Sequence, residues 1–221
     1  MSAPCEPREA ASVINAPSRR PLSTPSSTGL ALLSGLLVGA VTNVLQGVLP
    51  NALQALSNSG SVWSTAAFVA GAVVKVRGRT AVVAGTAIEI GAVVGYYAYA
   101  ELFRDGMGSL AWPLFWLAVA LVAGPIFGTA GAWWRTGEDW RRTAGPALLG
   151  GVFGMDAVWY EFALAYHGDA IGYGVVGALI PLLLGRTTRD RLVGLAAAAV
   201  LSVLAAAVLW AVSELPVLLS A

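Results

Sequence analysis

The chain has 221 residues, 57% of them hydrophobic and only 11% charged, with a formal net charge of +1. About a quarter of an ordinary soluble domain is charged, so this composition excludes that class; it also disfavours nucleic acid as a partner, because the basic residues do not gather into one face. Cys5 is the only cysteine, which rules out an intramolecular disulfide and a cysteine-cluster metal site.

Residues 1–28 are rich in Pro, Ser and Ala, lack periodicity and read as a disordered tail. The apolar stretch that follows is a full span long and has no small-residue cleavage site at its end. It therefore reads as a retained first helix rather than a signal peptide. Seven apolar segments then succeed one another at 29–49, 61–75, 80–100, 110–134, 145–167, 171–185 and 192–212. Each is near the length that crosses a bilayer. The expected fold is all-α: a polytopic seven-helix transmembrane bundle over 29–215, followed by a short external tail at 216–221. A layout of 3+1+3 with parallel repeats, the fourth helix being the connector, is one arrangement this pattern allows.

Charge placement orients the bundle. Four groups of three basic residues hold all but one of the 13 Lys and Arg residues. They are Arg8, Arg19 and Arg20; Lys75, Arg77 and Arg79; Arg135, Arg141 and Arg142; and Arg186, Arg189 and Arg191. Only Arg104 falls on the other side. The positive-inside rule then predicts a cell-membrane protein with a cytoplasmic N-terminus and an external C-terminus, which an odd number of spans satisfies.

Small residues four apart at Gly35/Gly39, Gly91/Gly95, Gly124/Gly128 and Gly150/Gly154 suit close helix packing. Gly124 and Pro125 in the fourth segment are candidates for a hinge or a static kink, since Pro removes an internal hydrogen bond.

The fifth segment carries Asp156 and Glu161 within an apolar run. A carboxylate in hydrocarbon requires a partner, a proton or a water-lined cavity. Counting from the inner ends at about 1.5 Å per residue puts Asp156 roughly 18 Å along its helix and Glu89 roughly 14 Å along its own, both near the midplane. Asn43, Gln46, Asn51 and Asn58 supply amides at matching height, and Trp63, Tyr96, Tyr97, Trp159 and Tyr160 supply aromatic rings. The expected site is an outward-facing cavity with Glu89 and Asp156 at its floor, or with one of these acids serving as a proton site coupled to movement, since burial favours the neutral carboxyl. Asp156, Trp159 and Tyr160 are spaced to share a face, whereas Glu161 lies about 140 degrees round from Asp156 and is secondary. His167 is the single histidine. It gives no basis for a metal site, and no cofactor is expected. Arg104 at a cavity mouth could hold an anion.

The stretches Thr42–Pro50 (TNVLQGVLP), Asn58–Trp63 (NSGSVW) and Gly95–Ala100 (GYYAYA) resemble a family of uncharacterised multi-pass membrane proteins from actinobacteria. The resemblance covers the bundle from about Leu30 to the seventh helix. It implies membrane placement and draws attention to Asn43, Gln46, Asn58 and Trp63, but it implies no activity.

Three functions compete. A pocket of amides, rings and two acids suits binding or transport of a small polar or cationic organic solute by hydrogen bonding, stacking and cation–π contact. A membrane enzyme acting on a lipid or isoprenoid, similar to a terpene cyclase, would use Asp156 or Glu89 as its acid and Trp159, Tyr160 and Tyr96 as cation-stabilising walls. In a non-catalytic scaffold the acids would only join helices. There is no phosphate-binding loop, zinc-protease signature, aspartate-rich diphosphate motif or interior lysine in the seventh helix.

Overall fold

The computed structural model describes residues 24–50, 54, 55, 57, 59–74, 78–104 and 106–219. The expected tail up to residue 23, Asn51 and Asn58 lie outside the described residues. Among those described the fold is all-α, with no strand. The seven principal helices are α1 (Thr24–Val48), α2 (Gly60–Val73), α3 (Arg79–Phe103), α4 (Ala111–Thr136), α5 (Asp139–Phe162), α6 (His167–Leu184) and α7 (Thr188–Leu219).

Five of the seven helices are long and apolar enough to cross a membrane, and α2 and α5 are not among them. α2 has only 14 residues, and the glycines, Asp156 and flanking charges of α5 lower its apolarity. The bounds of α5 need correction: instead of 145–167, it begins at Asp139 and ends at Phe162, with Pro146 accommodated inside it. The chain then reverses through Ala165, whose φ of 56° is unusual for a residue with a Cβ. His167 therefore opens α6 instead of closing α5. At the start of the bundle, α1 begins at Thr24, so residues 24–28 of the expected tail are helical.

Small residues determine which helices meet. Along α1 and α3, a Cβ on Gly39 would overlap the Ala92 carbonyl, and one on Gly95 would overlap the Leu36 carbonyl. The two backbones approach too closely there for any side chain. Gly124 and Gly128 press α4 onto α3 at Thr86 and Ala81, and Gly150 packs α5 against Gly177 of α6. All four predicted glycine pairs thus lie at helix crossings. The proposed hinge residues Gly124 and Pro125 sit within an unbroken α4, where Thr129 Oγ1 donates to the Pro125 carbonyl at 2.7 Å.

Polar contacts tie the two ends of the bundle. At the end bearing Arg135, Arg141 and Arg186, Trp134 Nε1 donates to the Leu184 carbonyl at 3.1 Å. There Arg142 also pairs with Asp190 at 3.4 Å. At the opposite end Arg104 meets Asn43 of α1. Most side chains around the outside are apolar: Leu33, Leu37, Leu121, Val122, Leu183, Val203 and Val208 are all exposed.

Candidate functional site

α2 is the short helix, and both Asp156 and Glu89 meet it. Its first turn is held by Ser59, whose extended backbone and side chain cap the helix by accepting from the Ser61 N–H at 3.1 Å. A serine before an apolar run is a good cap because its oxygen satisfies an otherwise free N–H. The Ser59 and Ser61 hydroxyls each lie 2.7 Å from Asp156 Oδ2 of α5, and 2.6 Å from one another. The three oxygens form a closed triangle. Beside it, Tyr173 of α6 donates to the Ala55 carbonyl at 2.8 Å and stacks on Tyr160 at 5.1 Å. Tyr160 is therefore on the Asp156 side of α5.

One turn further along α2, Ser64 is buried beside the Glu89 carboxyl of α3. Glu89 is 3% exposed, and its Oε1 has no hydrogen-bond partner. Ser61 and Ser64 are three residues apart, so one face of α2 turns its hydroxyls toward both acids.

The amides and rings assemble elsewhere, in an open cleft of about 510 Å³ lined by Asn43, Tyr96, Tyr97, Arg104, Trp112 and Trp116, among others. Asn43 Nδ2 donates to the Tyr96 carbonyl at 3.0 Å, and Asn43 Oδ1 accepts from Arg104 Nη1 at 3.0 Å. The Tyr96 hydroxyl donates to Gln46 Oε1. Trp63 braces the wall from α2. Its Nε1 donates to Thr42 Oγ1 at 3.3 Å, and its ring meets Tyr96 at 5.6 Å and Trp116 at 5.8 Å, both edge-on.

The residues expected in one cavity are thus divided. Asn43, Tyr96 and Tyr97 line the cleft, with Gln46 and Trp63 bonded or packed behind Tyr96, while Glu89 and Asp156 meet α2 and are not among the lining residues. The physical reason is that the first turns of α2 bring serine hydroxyls to the acids there. Trp159 leaves the Asp156 face and meets Trp210 of α7 at 6.0 Å. Glu161 and His167 pair at 2.9 Å on an exposed turn. Residue-by-residue reading missed Ser59, Ser61, Ser64 and Tyr173. The usable signal was a serine cap opening an apolar helix of half the usual length. Among the described residues no group of His, Cys, Asp and Glu is arranged to hold a metal ion.

Fold and site together define an all-helical protein whose apolar helices are compatible with a membrane, with a polar centre at one short helix. The chain belongs to a family of unknown function, DUF6518, whose pattern it matches over residues 18–215. No curated protein and no solved structure matches it.

Proposed function

We propose that this chain is an integral membrane protein of seven passes that binds, and moves, a small polar solute entering at the Asn43–Arg104 cleft. The apolar outer surface supports a bilayer as its partner, since contiguous exposed apolar surface of this extent is rare on soluble monomers. The four groups of basic residues support a cytoplasmic N-terminus and an external C-terminus, which would make the cleft external. α2 alone spans about 21 Å against a hydrocarbon core of about 30 Å.

The observation that carries the binding reading is the charge of the cleft. Among the described lining residues the charged one is Arg104, held by Asn43 and flanked by Trp and Tyr rings, with the Glu101 carboxylate at the rim, where it accepts from the Met107 N–H at 2.9 Å. A guanidinium among rings favours a neutral or anionic solute bearing a flat apolar part and disfavours the cationic solute. The cyclase reading is weaker. It requires Asp156, Trp159, Tyr160 and Tyr96 around one chamber, and these side chains turn to different neighbours.

Tryptophan fluorescence of the reconstituted full chain tests the reading with three probes of similar shape and different charge: benzoate, benzamide and benzyltrimethylammonium. Quenching should be strongest with benzoate and weakest with the ammonium, and Arg104→Gln should abolish the order. Uptake of labelled benzoate into proteoliposomes should be saturable and fall in the same variant. Equal quenching by all three probes, or an unchanged order in Arg104→Gln, would overturn the proposal.

A further inference from the structure

The triangle of Ser59 Oγ, Ser61 Oγ and Asp156 Oδ2 has a hydrogen count that does not close. Its three oxygen–oxygen separations of 2.6, 2.7 and 2.7 Å are all hydrogen-bond lengths, and each needs one hydrogen between the oxygens. Two serine hydroxyls supply two. The Ser61 N–H approaches Ser59 from outside the triangle and adds none to its edges. With Asp156 ionised, both hydroxyls point at the carboxylate, and the two serine oxygens face each other at 2.6 Å with lone pairs only. A proton on Asp156 completes the ring. The distances are also too short for a metal ion shared by all three oxygens, because ligands of a hard cation repel one another and spread apart.

Glu89 makes a similar demand one turn along α2. It is 3% exposed and its Oε1 is unpartnered. The described ion pairs are Arg142–Asp190 and Glu161–His167, so neither acid has a counter-ion among the described residues. Around Asp156 the titratable neighbours are Tyr160 on its own helix and Tyr173 on α6, with Asp169 beyond Tyr160. Among its described side chains, α7 brings the Ser202 hydroxyl toward this part of α5, at Gly154. An unpaired buried charge is far more costly than a buried neutral acid.

We propose that Asp156 and Glu89, which meet α2 at Ser59, Ser61 and Ser64, form a proton-binding site whose occupancy sets the position of α2. The step is simple proton exchange. An O–H bond on the carboxyl breaks, the proton passes to water, and the carboxylate left behind repels the serine oxygens that the proton had bridged. Ser61 and Trp63 are two residues apart on one short helix, so a shift of its first turn moves the ring that braces Tyr96 and Trp116. Proton occupancy is thereby linked to the wall of the cleft. The inference rests on the membrane placement proposed above and is independent of the solute.

Infrared difference spectroscopy of the reconstituted full chain, titrated with acid and base, tests it. At neutral pH a protonated-carboxyl C=O band should be present, with one component lost in Asp156→Asn and another in Glu89→Gln. The emission of Trp63, taken as the difference between the natural chain and Trp63→Phe, should shift over the same pH range, and the shift should vanish in Asp156→Asn. Should Asp156→Asn fail to fold, Ser61→Ala serves in its place and should move the transition. Absence of the band at neutral pH, a band untouched by either acid substitution, or a Trp63 signal indifferent to pH would each overturn the proposal. The cleft's preference for benzoate could survive any of those results, so failure here is distinguishable from failure of the binding reading.

Discussion

Asn43 and Arg104 fasten the C-terminal ends of α1 and α3 to each other. Arg104 Nη1 donates to Asn43 Oδ1 at 3.0 Å while Asn43 Nδ2 donates to the Tyr96 carbonyl at 3.0 Å. Asn43 is almost wholly buried and serves both partners at once. Asn43→Ala removes the side-chain bond to the Tyr96 carbonyl and leaves the guanidinium without its amide, at a cost of about 1–3 kcal/mol. Arg104→Gln keeps a donor for Asn43 and should cost less. Thermal unfolding of both variants in detergent checks the order, and a reversed order would mean that the amide is not what holds the two helices together.

Backbone approach between α1 and α3 makes a sharper prediction. A side chain at Gly39 meets the Ala92 carbonyl directly, whereas Gly29 in the same helix has nothing within 4 Å of a new Cβ. Gly39→Ala should destabilise by about 1–3 kcal/mol through overpacking. Gly29→Ala should stabilise by about 0.5–1 kcal/mol, because alanine loses less backbone freedom in a helix. Opposite signs in the same unfolding assay are the expected outcome.

These contrasts show why some of the molecule was readable from its sequence. Apolar runs of span length and glycines four apart are local signals, so the number of helices and the close crossings at Gly35/Gly39 and Gly91/Gly95 follow from them. Asn43, Gln46 and Tyr96 could be grouped because they lie near the same ends of their helices. Depth along a helix does not fix direction around it, however. Asp156 and Glu89 each turn to α2 rather than to the cleft. That arrangement depends on Ser59, Ser61 and Ser64, whose hydroxyls matter only once three helices are in place. The start of α5 differs from position 145 for a local reason: Gly145 and Pro146 look like a helix start, and α5 absorbs both.

Glu89 offers a test of what an unpartnered buried oxygen costs. Its Oε1 makes no hydrogen bond, so Glu89→Met removes a desolvated polar atom and keeps a side chain of similar length. The variant should be at least as stable as the natural chain and could gain about 1–3 kcal/mol. Glu89→Gln retains two polar atoms in the same place and should not gain. Unfolding midpoints together with the infrared band separate the two contributions: stability should rise in Glu89→Met, while one component of the protonated-carboxyl signal disappears.

The exposed pair of Glu161 and His167 provides a contrasting case. The side chains meet at 2.9 Å, but that of His167 is 71% exposed. Solvent-exposed ion pairs contribute about 0–1 kcal/mol, so Glu161→Ala should leave the unfolding midpoint within that margin. A larger loss would require the turn from Ala163 to Tyr166 to depend on the pair. The backbone gives a reason to expect otherwise, because Tyr166 N donates to the Tyr160 carbonyl at 2.9 Å and closes the turn without either side chain.

Orientation can be tested with a single natural probe. Cys5 is the only cysteine, so a membrane-impermeant maleimide on sealed vesicles reports the side of the N-terminal segment without further engineering. The positive-inside argument predicts that Cys5 in right-side-out vesicles is protected until the membrane is opened. A second cysteine at Gly106, introduced with Cys5→Ser, should label from outside at once, because Gly106 lines the Arg104 cleft. Labelling of both from the same side would contradict the odd number of crossings between them. That result would place the α2 segment wholly within one leaflet, since α2 is the shortest of the helices and the one whose N-terminal end lies among buried serines.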